Sequence, residues 1–203
     1  MPQDRVFSAT AMPDRDWWQA LWPDPEMVVK ALGIRCGMEV VDLGCGYGHF
    51  TAAVARQAGP GRVIAIDIDP DMVAQAQAAC QQVSNCIWIQ GDAMELPRLV
   101  PDPVDFVLLA NTFHGAPDKP TLASTIRSIL RPEGRLAIVN WHPVAREHTV
   151  VKGLPRGPET QLRMSLAQTC AAVEPVGFSL DMTVDLPPYH YGAIFIQSLE
   201  YAP

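Results

Sequence analysis

The short run Glu39-Val-Val-Asp-Leu43 stops against three alternate glycines, Gly44, Gly46 and Gly48, and a helical pattern begins directly behind them. A short apolar run ended by glycine reads as a strand buried on both faces. Glycine, lacking Cβ, permits a sharp turn and a close approach of backbone to a ligand. Strand and helix patterns then alternate along the chain. Residues 49–58 read as a helix broken by Gly59-Pro60-Gly61, and 62–66 as a second strand. Asp69 and Pro70 are the cap and first turn of a helix reaching about residue 83. Residues 86–90 and 104–110 are a third and a fourth strand. A helix around 119–130 turns Leu122, Ile126, Ile129 and Leu130 inward, Pro132-Glu133-Gly134 is a turn, and 135–141 is a fifth strand. Ser165 caps a helix to about Val173, and 179–184 and 192–199 are two closing strands joined by 185–191. Helices between apolar strands indicate a mostly parallel sheet covered on each side. The last connection is too short for a right-handed crossover, so the final two strands are expected to be antiparallel, the last one inserted beside its neighbour.

A chain of 203 residues can bury one sizeable core and is cramped for two. Its 48% hydrophobic and 18% charged residues exclude a disordered chain. With 15 Lys+Arg against 22 Asp+Glu the net charge is −7, which counts against a broad phosphate-binding face and so against nucleic acid as a partner. No long apolar run follows the N-terminus and no uncharged apolar stretch reaches about 18 residues, so neither a secretory leader nor a membrane-spanning segment is expected. The five cysteines, at 36, 45, 80, 86 and 170, are odd in number and show no Cys-x-x-Cys spacing. They read as separate reduced thiols of a cytoplasmic protein, with no metal site. Prolines crowd at 13, 23 and 25, at 97, 101 and 103, and at 143, 155 and 158, where they end elements rather than sit inside them. The expected organisation is an N-terminal helical lid or cap over 1–36 and one α/β domain over 37–203.

The glycine loop alone is weak, since Gly-x-Gly-x-Gly lacks the third glycine of a dinucleotide fingerprint. Three acids change its meaning. Asp42 ends the first strand beside the loop, where it would repel a pyrophosphate but suits an ammonium or a neutral polar edge. Asp67 ends the second strand, where it can accept from a ribose diol, and Asp92 follows the third, where it can accept from an adenine amine. Each acid alone reads equally well as a helix cap or loop residue. All three follow consecutive strands at one sheet edge, where open sheets bind ligands.

These residues, Val-Asp-Leu-Gly-Cys-Gly-Tyr-Gly (41–48), Ile-Ala-Ile-Asp-Ile-Asp-Pro-Asp-Met (64–72), Gly-Asp-Ala-Met-Glu-Leu-Pro (91–97) and Leu-Arg-Pro-Glu-Gly-Arg-Leu (130–136), resemble the class I S-adenosylmethionine-dependent methyltransferase family. The resemblance covers about 38–199 and is closest to the small single-domain enzymes of quinone biosynthesis. It implies a three-layer Rossmann-like sandwich with a seven-stranded, mostly parallel sheet, order 3-2-1-4-5-7-6, strand seven antiparallel. It implies S-adenosyl-L-methionine as cofactor, with Asp42 and the loop of Gly44, Cys45, Gly46 and Gly48 around the methionine moiety. Asp67 would hold the ribose hydroxyls, Asp92 and the Ala93 backbone the adenine edge, and Ile68 and Met94 would sandwich the ring. Asn111, just past strand four, would lie at the methionine end near the transferring methyl.

The acceptor is less legible. Methyl transfer needs alignment first and a base only for a nucleophile that keeps its proton. His114, after strand four, and His142, after strand five, are candidate catalytic groups beside Asn111, with Trp141 as an aromatic wall. His114 reads as well as a pocket-shaping residue. His190, in the final hairpin, reads mainly as loop packing or surface; His49, in the first helical turn, either touches a ligand carboxylate or faces solvent, and Tyr47 either lines the methionine pocket or fills space. Trp17, Trp18 and Trp22 mark the N-terminal segment as a water-excluding lid or a packed cap. The loop 143–161 carries Arg146, His148, Lys152 and Arg156, a local positive patch that can meet an anionic substrate group. The expectation is an enzyme methylating a small-molecule acceptor. A cofactor-binding regulatory protein without turnover and an NAD-dependent oxidoreductase are the alternatives. An open pocket lined by Asn111, His114 and Trp141 would separate the first from the second.

Overall fold

A computed structural model describes residue 7 and residues 10–198. The strands are β1 (Val40–Leu43), β2 (Val63–Asp67), β3 (Cys86–Gln90), β4 (Val104–Ala110), β5 (Leu130–Trp141), β6 (Val150–Val151), β7 (Leu154–Pro155), β8 (Phe178–Leu186) and β9 (His190–Gln197). The helices are α1 (Arg15–Leu21), α2 (Pro25–Ala31), α3 (Thr51–Ala58), α4 (Pro70–Ala79), α5 (Leu96–Leu99), α6 (Lys119–Ile129) and α7 (Leu166–Val173). Seven strands form one sheet in the order β3-β2-β1-β4-β5-β9-β8, and β6 with β7 makes a separate small hairpin. β1 to β5 pair parallel, whereas β9 runs antiparallel to both β5 and β8. This is the expected three-layer sandwich. The first closing strand is longer than expected and the second begins two residues earlier, so the residues between them shrink to Pro187, Pro188 and Tyr189.

The sheet separates two cores because successive strand residues point to opposite faces. Val41, Leu43, Ile64, Ile66, Leu136 and Ile138 pack on one face with Leu122, Ile126 and Ile129 of α6. Val40, Val63, Phe106, Leu108, Ala137 and Val139 pack on the other with α3 and the N-terminal segment. The helix α6 forms because Asp118 caps it, accepting from the Thr121 amide at 3.0 Å, and its apolar residues recur at helical spacing. It ends at Ile129, one residue short of expectation. Leu130 adopts an extended conformation (φ −85°, ψ 140°) and opens β5. Residues 131–134 then bulge out of the β4 pairing, which passes from Val104↔Leu130 to Phe106↔Arg135.

One edge of the sheet is closed by charge. Glu39 takes Arg62 and Arg131, each at 3.2 Å, and Arg131 also reaches Asp105 at 2.5 Å. These groups lie where β1 and β4 begin. The opposite edge, where the parallel strands end in Gly44, Asp67, Asp92, Asn111 and Trp141, is left for a ligand.

The candidate functional site

The glycine loop is tied to the end of β2. The amides of Gly44 and Cys45 both donate to the Ile66 carbonyl, at 2.8 and 3.0 Å. The Gly46 amide donates to Asp67 Oδ2 at 2.8 Å, while Asp67 Oδ1 accepts from the Asp69 amide at 3.0 Å. One carboxylate thus clamps the loop and caps its own turn. Burial pushes the Asp67 carboxyl above the ordinary range, and those backbone donors partly offset it. Gly44 (φ +74°) and Gly46 (φ +53°) occupy left-handed backbone, and each is also crowded. A Cβ on Gly44 would lie 2.8 Å from Thr112 Cγ2, and one on Gly46 would lie 2.3 Å from Met12 Sδ.

Behind the loop opens a cavity of about 710 Å³, within the range of about 300–1,000 Å³ usual for small-molecule sites. Of the expected residues it brings together Gly44, Gly46, Asp67, Ile68, Asp92, Ala93 and Asn111 with His114 and Trp141. Asp92 Oδ1 accepts from the Met94 amide at 2.9 Å and caps the single turn Ala93–Glu95. Asn111 sits at φ +60°, a conformation asparagine tolerates better than most residues. Both polar atoms of its side-chain amide are buried, with no hydrogen-bond partner among the described residues. The Thr112 hydroxyl is in the same condition. Buried polar groups left this way in a cavity wall are acceptors and donors waiting for a ligand. His114 is buried in the turn Phe113–Gly115 and lines the same space.

Five expected residues lie outside the cavity lining. Asp42 faces the α3 side of β1, 2% exposed, and its Oδ2 accepts from Thr51 Oγ1 at 2.6 Å. Burial, with the Asp67 charge adding to it and the Thr51 hydroxyl opposing, pushes its carboxyl up to about 6. Cys45 turns under the loop against Ala65, Ala76 and Trp88. At Gly48 a Cβ would meet Cys80 and Ala76 at 3.0–3.1 Å, so this glycine seats the loop on α4 rather than on a ligand. Met94 is exposed, and Met72 on α4 lines the cavity beside Ile68 in its place. His142 follows Trp141 by one residue and therefore points to the opposite face. Its ring lies 5.3 Å from that of Tyr191, and its Nε2 is 3.5 Å from Asp185.

The N-terminal segment covers one flank. Residues 10–13, Trp17 and Trp18 line the cavity, while Trp22, Val29, Leu32 and Ile34 are buried in the core on that face of the sheet. The Trp22 ring centre lies 4.4 Å from that of His190, and the His190 ring 4.1 Å from that of Trp141, both pairs tilted rather than parallel. Fully buried, its imidazole is held well below its ordinary value, so it is neutral packing. His49 lies 3.1 Å from the Trp22 carbonyl, and Tyr47 is covered by the Arg15 guanidinium at 4.4 Å. The other flank is the segment after β5, which supplies Arg146, Arg156, Gly157, Pro158 and Glu159. It is held by a residue that the sequence patterns did not single out. Arg163 is 4% exposed and donates to the carbonyls of Pro158, Val144 and Arg156 and to Thr149 Oγ1, all at 2.9–3.1 Å. A lone arginine between Leu162 and Met164 carries no sequence signal for that role.

Residues 40–134 match the family model of a methyltransferase domain. The chain is 28% identical over 144 residues to demethylmenaquinone methyltransferase from Lactococcus lactis, covering 69% of this chain and 54% of that protein. It is 31% identical over 108 residues to the Staphylococcus aureus protein of the same name, covering 53% and 44%. The chain thus spans about half the length of these relatives. Among solved structures it resembles a SAM-dependent methyltransferase from Aquifex aeolicus (TM-score 0.75, 25% identity, 90% and 93% coverage). It shares its fold with the N-methyltransferase NodS from Bradyrhizobium japonicum in complex with S-adenosyl-L-homocysteine (TM-score 0.71, 15% identity, 93% and 94% coverage). The sheet order, the glycine loop and the acids at its edge define a class I S-adenosylmethionine-dependent methyltransferase domain. The chain is homologous to the demethylmenaquinone methyltransferases.

Proposed function

We propose that this chain is an enzyme that uses S-adenosyl-L-methionine to methylate a small-molecule acceptor. The observation that carries this reading is the shared cavity, in which the loop backbone, Asp67 and Asp92 face the same space as Asn111, His114 and Trp141. The residues fit the cofactor. The glycine cradle would be filled by any Cβ, the two acids suit hydroxyl and amine donors, and Ile68, Met72 and Ala93 offer apolar surface for a purine. Bound there, the cofactor supplies a methyl group made electrophilic by its sulfonium. The chain's own task is to hold and align. Asp67 accepts from ribose hydroxyls, Asp92 from the adenine amine, and the Asn111 amide positions the methionine end. His114, facing the cavity, takes the acceptor proton where the acceptor has one to lose, and residues 10–18 exclude water as a cover. A binding protein without turnover would fill the space beyond Asn111, whereas here His114 and Trp141 border it.

Acceptor and compartment follow from weaker signals. The acidic balance and the homology to small-molecule methyltransferases support a small acceptor over nucleic acid. Among the described residues no helix is long and apolar enough to cross a membrane, and all five cysteines are unpaired, which supports a cytoplasmic location. Calorimetric titration with S-adenosyl-L-homocysteine tests the cofactor, with binding expected at micromolar concentrations. Release of S-adenosyl-L-homocysteine in the presence of an acceptor panel tests turnover. No heat of binding would refute the cofactor assignment.

A further inference from the structure

We propose that the acceptor is an aromatic carboxylate, its ring held among Trp17, Trp18 and Trp141 and its anionic group held by Arg156. The proposal rests on the reading of the cavity as a methyltransferase site and narrows its substrate class. The cavity is polarised. Asp67, Asp69 and Asp92 line it below β2 and β3, while Arg146 and Arg156 line it from the segment after β5. The two arginines differ. Arg146 Nε already donates to the Gly157 carbonyl at 3.0 Å and lies 3.8 Å from Glu159. Arg156 makes no ion pair among the described residues, and its Nε is buried without a hydrogen bond. The acid that feels its charge, Asp16, is held instead by Lys152 at 3.3 Å.

A buried guanidinium donor without an acceptor is unfavourable, and a carboxylate is the partner that its planar fork matches at two points. The geometry around Arg156 favours presentation over collapse. Its guanidinium lies 5.2 Å from the ring centre of Trp17, within cation–π range. Its backbone is fixed on both sides, its amide donating to the Thr149 carbonyl at 2.9 Å and its carbonyl accepting from Arg163 at 3.0 Å. Beside this cation the lining is aromatic, with Trp17, Trp18 and Trp141 all facing the cavity. A flat apolar ring with one negative substituent satisfies both demands.

The test titrates the full chain with 4-hydroxybenzoate and with indole-3-acetate, each against its own primary amide, with and without saturating S-adenosyl-L-homocysteine. Tryptophan fluorescence and calorimetry give the affinities. The acids are expected to bind at least tenfold more tightly than the amides. Arg156→Gln should lower acid affinity at least tenfold, to the level of the amides, and leave S-adenosyl-L-homocysteine affinity within twofold. Arg98→Gln, an exposed change on α5, should alter neither. Equal affinity of acid and amide on the unmodified protein overturns the proposal whether or not the variant folds. So does a folded Arg156→Gln protein that keeps the preference, or an absence of binding by all four compounds. Failure of S-adenosyl-L-homocysteine to bind strikes the underlying methyltransferase reading instead, and the acid-to-amide ratio without it still decides the anion site.

Discussion

At the scale of single residues, the site works by giving one side chain two loads. The Asp67 carboxylate fixes the glycine loop through the Gly46 amide and also faces the cavity. Asp67→Ala should weaken S-adenosyl-L-homocysteine binding at least tenfold and lower stability by about 1–3 kcal/mol, because two backbone donors lose their acceptor. Calorimetry and urea melts measure the two separately, and unchanged affinity would remove its ribose role. His114 also faces the cavity. If it accepts the acceptor proton, His114→Ala should reduce kcat by about 10²–10⁴-fold with cofactor affinity nearly constant. Full turnover by that variant would leave the ring as part of the wall.

At the scale of elements, the helices are set by local rules and respond to local changes. α7 begins with a complete capping box, Ser165 Oγ accepting from the Gln168 amide at 3.2 Å and the Gln168 side chain accepting from the Ser165 amide at 2.8 Å. Ser165→Ala should cost about 1 kcal/mol in a urea melt. This start was legible because serine before an apolar run has one strong reading, and β3 and β4 were legible as apolar runs bounded by turn residues. Other features depend on which way a strand end turns. Trp141 ends β5 and His142 directly follows it, yet alternation puts one in the cavity and the other on the far side. The buried Arg163 depends on contacts with residues 144, 149, 156 and 158, which no spacing rule brings together. Arg163→Gln should therefore loosen the segment after β5, seen as faster proteolytic cleavage within 143–163 while the remainder stays folded.

At the scale of the whole molecule, one buried acid links stability to pH. The Asp42 carboxyl lies at about 6 against an ordinary value of 3.8, chiefly through burial. The folded state therefore holds a proton there that the unfolded chain has already lost, and this contribution to stability falls as pH rises from about 4 through 6. The difference amounts to about 3 kcal/mol by neutral pH. Asp42→Asn, which keeps an oxygen for Thr51, should gain stability relative to the unmodified protein over that interval and hold a constant advantage above pH 7. A gap independent of pH would contradict this.

The insertion of β9 between β5 and β8 also sets the order in which the two halves of the site can be assembled. The loop, Asp67 and Asp92 come from neighbouring strand–helix units whose contacts are close in sequence, so this half can form early as the chain leaves the ribosome. The acceptor wall cannot. Trp141 is backed by His190, and His190 in turn by Trp22, so this wall closes only when a late strand meets an early helix end across 168 positions. The proposed nucleotide half thus rests on short-range contacts and the proposed acceptor wall on long-range ones, and substitutions in β9 are expected to retune or abolish the second while the first is left standing.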